Sequence, residues 1–321
     1  MQKVPLREAE TVEITILVDN YSDVLLADVP GAKRLKVPPP QAPLAEHGLA
    51  CLVSVYRDEE KHTILMDAGT TGTCLRHNAD LLPVSLGVAT GDVRHQLPAV
   101  EAIVLSHGHY DHFAGLVPLL TGLGRKIPLI VHPGAFVERR IKLGPDFYVP
   151  MPKLVEGDLQ AAGAILDKRA AASTIANDLI FLTGQVDRVT AFETGSPGLE
   201  AMIDDEWVPD PFFDDQGLAV NLQDKGLVVI GGCSHSGIIN IIEHARRHTG
   251  IDRVHAVLGG FHLAGDSEPK IDPTIEAMAK IAPDVIVPMH CTGWKATNRF
   301  AAAMPDQFIL NSVGTTYQFG M

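Results

Sequence analysis

The chain has 321 residues, a formal net charge of −13 at pH 7, 46% hydrophobic residues and 20% charged ones. That is enough apolar material for a globular core. The acidic balance argues against a nucleic-acid backbone as the main partner, because phosphate binding needs clustered Lys and Arg.

No apolar run approaches the roughly 18 residues of a membrane span, and Met1 to Glu10 has no signal-peptide pattern. A small soluble substrate is therefore expected, with no nucleic acid and no membrane as partner. Cysteines stand at 51, 74, 233 and 291 without close pairing, which predicts free thiols and a reducing, cytoplasmic setting. No low-complexity linker or repeat divides residues 1–321, so one domain is expected.

Val12 to Val18 alternates as a first strand. Leu49 to Tyr56 and Thr63 to Met66 read as the next two, with the charged turn Arg57 to Lys61 between them. Ala99 to Leu105 is an apolar strand that feeds Ser106-His-Gly-His-Tyr-Asp-His112, and a helical stretch from Phe113 to Leu120 leads out. His107, His109, Asp111 and His112 thus sit on a loop at the carboxyl end of a strand, where open α/β sheets place their chemistry. Alternate residues of an extended segment point the same way, so His107 and His109 can grip one ion. Asp111 and His112, on the following turn, can face a second.

Imidazole nitrogen and carboxylate oxygen suit Zn2+, Mn2+ or Fe2+. One or two divalent ions are the expected cofactors, Zn2+ first.

Lys126 to Val131 is a further short strand. Residues 133–215 are rich in Pro, Gly and Asp and carry Phe147, Tyr148, Phe192, Trp207, Phe212 and Phe213. They are expected to form an inserted, lid-like segment over the site. Gly226 to Ile230 is a buried strand ending at Gly231-Gly-Cys-Ser-His235. A helix follows with Ser236 as its expected cap and Gly250 as its stop. Arg253 to Leu258 ends at Gly259-Gly-Phe-His262, Asp272-Pro273 opens another helix, and Val285 to Val287 leads to His290. Alternating strands and helices are an α/β pattern. Three successive strands ending in histidine raise His235, His262 and His290 as site residues.

His-x-His-x-Asp-His resembles the signature of the metallo-β-lactamase superfamily. Ile64-Leu-Met-Asp-Ala-Gly69 and Asp284-Val-Ile-Val-Pro-Met-His290 are similar to its strand ending in Asp-x-Gly and to its last metal-histidine strand. Seven blocks appear in order: Leu17-Val-Asp-Asn20, Glu46-His-Gly-Leu49, Ser106 to His112, Asp214-Asp-Gln216, Gly232-Cys-Ser-His-Ser-Gly237, Gly259-Gly-Phe-His262 and His290-Cys-Thr-Gly293. Together they resemble the branch labelled 7,8-dihydropterin-6-yl-methyl-4-(β-D-ribofuranosyl)aminobenzene 5′-phosphate synthase. The resemblance implies a four-layer αββα sandwich with one or two ions at its edge. It also implies that the aspartate bridging both ions in dinuclear members is missing here, with Cys233 near its position.

The expected ligands are His107, His109 and His235 for one ion, and Asp111, His112 and His290 for the other, with Asp111 also orienting or deprotonating the attacking water. His47, Asp67, Asp214, Asp215, Gln216, Cys233 and His262 are expected to touch substrate or to support the ligands by hydrogen bonds. His132 is expected to be structural or exposed, and His244 and His248 to be a solvated pair.

Metal-assisted hydrolysis of a small ester, lactone or phosphoester is the leading expectation. A transferase of pterin-type cofactor synthesis, with Arg139, Arg140 or Lys142 as its phosphate-binding cation, is the alternative. A non-catalytic binding relic is the third.

Overall fold

The computed structural model describes residues 3–82, 100–196 and 198–320. Two sheets face each other. The first has eight strands in the order Ala164–Lys168, Ile127–Val131, Val100–Val104, Glu60–Met66, Ala50–Arg57, Thr11–Val18, Thr316–Gly320 and Ala32–Lys33. Its first four strands run parallel. The second sheet has seven, in the order Ser173–Ile175, Ile180–Leu182, Leu218–Leu222, Gly226–Ile230, Val254–Gly260 and Val285–Met289, with Glu8–Ala9 on the edge of Leu218–Leu222.

The layering follows from which side chains each strand buries. Val12, Ile14, Ile16, Val53 and Ile64 of the first sheet meet Leu218, Val220, Val228, Ile230 and Leu258 of the second. On the outer face of the first sheet, Leu65, Ile103 and Leu129 pack with helices Gly72–Asp80, Leu116–Leu123 and Glu156–Ala162. On the outer face of the second, Leu227, Val229 and Val257 pack with helices Ile238–Thr249, Ile271–Ile281 and Trp294–Ala303. The result is the expected αββα order. The central strands are buried on both faces, which is why Gly226–Ile230 reads as an unbroken apolar run.

Residues 133–215, expected as one insertion, divide in the structure. Ala164–Lys168 extends the first sheet in parallel, and Ser173–Ile175 with Ile180–Leu182 completes the second. The strands Arg139–Gly144, Phe147–Pro150, Leu199–Ile203 and Glu206–Pro209 form a separate antiparallel sheet of four. The helix Ile238–Thr249 starts after Gly237, and Ser236 does not cap it. The N–H groups of Ile239 and Asn240 instead donate to the Glu193 carboxylate, each at 2.9 Å.

His244 is buried rather than solvated. It lies 3.2 Å from the Thr183 carbonyl and stacks on His248. His132 is structural, its Nδ1 accepting the Gly134 N–H. All four cysteines are free. Among the described residues no helix is long and apolar enough to cross a membrane.

Candidate metal centre

The candidate residues gather where parallel strands of both sheets end. Glu60–Met66 delivers Asp67, and Val100–Val104 delivers Ser106 to His112. Gly226–Ile230 delivers Cys233 and His235, Val254–Gly260 delivers His262, and Val285–Met289 delivers His290. Asp111 and His112 lie on a one-turn helix, Tyr110–Phe113. Asp67, Ser234, His262 and His290 all have positive φ, from 43° to 61°. Such backbone costs about 1–3 kcal/mol per residue and clusters at functional sites. Gly108 is required between His107 and His109, because a Cβ there would sit 2.2 Å from the Ala135 carbonyl oxygen.

Asp111, His112, Cys233 and His290 converge. His112 Nε2 lies 3.1 Å from His290 Nε2 and 3.1 Å from Cys233 Sγ. Cys233 Sγ is 3.3 Å from His290 Nε2, and Asp111 Oδ2 is 3.4 Å from His290 Nε2 and 3.7 Å from His112 Nε2. Nitrogen and oxygen donors at about 2.0–2.1 Å around a tetrahedral zinc stand roughly 3.3 Å apart, and a thiolate at about 2.3 Å stands roughly 3.5 Å from them, within a few tenths of an ångström of the spacings here. The quartet therefore fits an ion of zinc's size. Its imidazole, carboxylate and thiolate donors also suit zinc.

The other imidazoles form a looser group. His107 and His235 lie with Cys233 in a second set of converging donors, so Cys233 belongs to both. His109 stands beside that set, its Nδ1 3.1 Å from His235 Nε2. The Nε2 atoms of His107 and His109 are buried without a hydrogen-bond partner among the described residues, as fits lone pairs kept for a cation.

Burial drives the basicity of His107, His109 and His235 well below the ordinary imidazole range, and nearby cationic groups push the same way. Neutral imidazole is the form that ligates. The quartet behaves differently. Burial lowers His112 and His290, but Asp67 and Asp111 outweigh it at His112. Cys291 and Asp111 outweigh it at His290, which rises to about 9. Burial also raises Asp111, yet His112 and His290 hold it below the usual carboxylate range.

Asp67 supports the cradle. It accepts from Ser106 N and Oγ, each at 2.7 Å, and contacts His112 Nδ1 at 2.7 Å. Asp214, Asp215 and Gln216 do not face a substrate. Asp214 is buried between Arg139, at 2.6 Å, and the Gly108 N–H, at 2.7 Å. Asp215 accepts from Ser236, and Gln216 donates to the Leu105 carbonyl. His47 is exposed at the rim, 3.3 Å from Asp111.

Asp19, Ser196 and Arg139 were not singled out as supports of the site from the sequence. Asp19 accepts the His290 N–H at 2.9 Å, and Ser196 Oγ lies 2.8 Å from His235 Nδ1. Asp19 also ends a strand, Thr11–Val18, so the pattern that exposed the histidines would have found it. The Arg139 pairings cross more than 70 residues and leave no local signal.

The centre opens into a cleft of about 350 Å³. Ile141, Met151 and Leu199 of the small sheet form an apolar wall, and Tyr110 contributes the aromatic surface. None of Phe147, Tyr148, Trp207 and Phe213 lines it. Trp207 packs instead on the Arg140 guanidinium, 4.2 Å from its ring. Phe212 lies behind the centre, stacked on His235 at 4.3 Å.

A family model described as "Beta-lactamase superfamily domain" matches residues 62–161. The 7,8-dihydropterin-6-methyl-4-(beta-D-ribofuranosyl)-aminobenzene-5'-phosphate synthase of Methanocaldococcus jannaschii is 28% identical over 86% of this chain and 90% of its own length. The uncharacterised protein MJ0448 of the same organism is 30% identical over 84% of this chain and 92% of its own. Among solved structures, Tm1679, a metal-dependent hydrolase of the β-lactamase superfamily, superposes with a TM-score of 0.70 at 23% identity, covering 97% of this chain and 99% of that one.

Proposed function

Because the chain belongs to the metallo-β-lactamase superfamily, we propose that it is a metal-dependent hydrolase of a small soluble ester, lactone or phosphoester. The observation that carries this reading is the convergence of Asp111, His112, Cys233 and His290, five of their six donor pairs 3.1–3.7 Å apart, with Asp111, Cys233 and His290 lining the open cleft. When bound, a divalent ion supplies a water of pKa about 7 and polarises a carbonyl or phosphoryl oxygen.

The residues do the rest. Asp111, held ionised, orients a water by accepting its hydrogen bond. His47, 3.3 Å from Asp111 and 58% exposed at its side chain, is placed to carry the water's proton to solvent. The apolar wall of Ile141, Met151 and Leu199 takes the carbon skeleton of the substrate. The four free cysteines support a reducing, cytoplasmic setting.

The test is metal-reconstituted protein assayed on small esters, lactones and phosphoesters beside single-stranded and structured RNA. Turnover of at least one small-molecule class is expected. Efficient nuclease turnover with no small-molecule activity overturns the reading.

A second reading, transfer in pterin-type cofactor synthesis, is supported by the 28% identity to the synthase. Its phosphate needs a cation, and the candidates are already engaged. Arg139 pairs with Asp210 and Asp214, and Arg140 with Glu200, while Lys142 lies 3.9 Å from Glu200. Binding of reduced pterins to a protein silent in every hydrolytic assay would move this reading ahead.

A further inference from the structure

We propose that Cys233, His262 and Cys291 form a thiolate-rich metal seat beside the main centre, with which it shares Cys233, selective for zinc and softer ions. The proposal does not depend on the hydrolytic reading. One donor atom from each of the three lies within 4.8 Å of the others. His262 Nδ1 is buried and has no hydrogen-bond partner among the described residues. Cys291 Sγ reaches the Cys233 carbonyl at 3.4 Å, so the two cysteines are drawn together past the end of the intervening strand Val254–Gly260.

The backbone is shaped for this approach. His262 sits at φ 43°, directly after Gly259-Gly260-Phe261. A Cβ on Gly260 would lie 2.6 Å from Cys291 Sγ, so only glycine leaves room for the sulfur there. His262 and Cys291 both line the cleft, which gives an ion a way in.

Two sulfurs and one imidazole are soft-to-borderline donors. They favour Zn2+, Cd2+ or Cu+ over Mn2+ or Mg2+. Cys233 is also within reach of the other two donor groups. Its sulfur is thus the joint between this seat and the main centre.

The experiment loads the full-length reduced protein with cadmium and records cadmium NMR, in which each added thiolate ligand shifts the resonance strongly downfield. Wild type is expected to show a resonance of two-thiolate type, apart from those of ions held by histidine and carboxylate. Cys291→Ser and His262→Ala should each lose or shift that resonance and bind less cadmium, leaving the others in place. His109→Ala should do the reverse. If Cys291→Ser does not fold, judged by near-ultraviolet circular dichroism, His262→Ala decides alone. Absence of a two-thiolate resonance in wild type overturns the proposal. So does a spectrum unchanged by either substitution.

Discussion

The two sides of the centre hold the same kinds of residue in opposite electrostatic states. On one side His107, His109 and His235 are kept neutral by burial, at His109 against the opposing charge of Asp111. On the other, Asp67 and Asp111 raise His112, Cys291 and Asp111 raise His290, the two histidines hold Asp111 ionised, and Cys233 completes a compact set. On both sides ring nitrogens are left over: Nε2 of His107 and His109, and Nδ1 of His290, are buried without a hydrogen-bond partner among the described residues. The difference teaches that burial alone does not decide protonation. What decides it is whether nearby negative charge outweighs burial, as Asp67 and Asp111 do at His112 and Cys291 and Asp111 do at His290.

Removing a histidine from the neutral side should have the largest effect. His109→Ala is expected to lose metal and activity, by far more than the roughly 10–100-fold that a supporting residue contributes. The core strands lie away from this loop, so unfolding should stay cooperative. Metal analysis and denaturant unfolding of the purified variant check both statements. A variant that no longer unfolds cooperatively would show that the ion holds the domain together.

Arg139→Met should break the same side from beneath. Arg139 is buried and bonds Asp210 at 2.7 Å and Asp214 at 2.6 Å. Burial has already raised Asp214 to about 6 against the pull of Arg139. Deleting one partner of a buried pair costs about 3–5 kcal/mol. Asp214 also holds the Gly108 N–H between the two histidines. Both the urea midpoint and the affinity of the histidine side should therefore fall. An unchanged midpoint would mean that the carboxylates take up protons without cost.

Asp67→Asn addresses the charged side. The amide has a single acceptor oxygen, so either the Ser106 N–H or the His112 Nδ1 and Ser106 Oγ pair faces an NH2 group instead, and the negative charge beside His112 is lost. A loss of about 10–100-fold in metal affinity is expected, read by competition with a chelator. An equal loss of ions from the His107 side would erase the distinction between the two sides.

The same contrast governs what was legible in the sequence. The apolar runs of the central strands and the ligands at their ends are local patterns, so the layers and the donor set could be read from them. Residues 133–215 could not. Their strands are short and serve three sheets, and pairings such as Arg139 with Asp214 join segments far apart. The aromatics there suggested a stacking lid. In the structure Trp207 and Tyr148 instead flank Arg140, at 4.2 Å and 3.8 Å from its guanidinium. Composition showed which side chains were available but not which way they face. For Ser236 the cap rule failed because Glu193, over 40 residues away, supplies a stronger acceptor to the same helix start.

Glu193 offers the most specific way to sharpen the comparison, because it is a buried acid just behind the neutral side with, among the described residues, no cationic partner in hydrogen-bonding contact. Burial raises its carboxyl to about 7, against the Ile239 and Asn240 N–H groups, Thr190 and the charge of Lys270. A folded-state value above the unfolded one means that the native protein binds the proton more tightly. Its stabilising contribution is complete below about 4.5, the ordinary value, and is lost as pH rises through about 7. Glu193→Gln keeps an acceptor for the helix start and removes the titration. The wild-type protein should therefore lose stability relative to this variant between those two values, by up to about 3 kcal/mol. Denaturant unfolding of both proteins across that range measures the difference. A gap that stays constant with pH would show that the helix start holds Glu193 ionised throughout, and burial would then not be the ruling influence on this side of the centre.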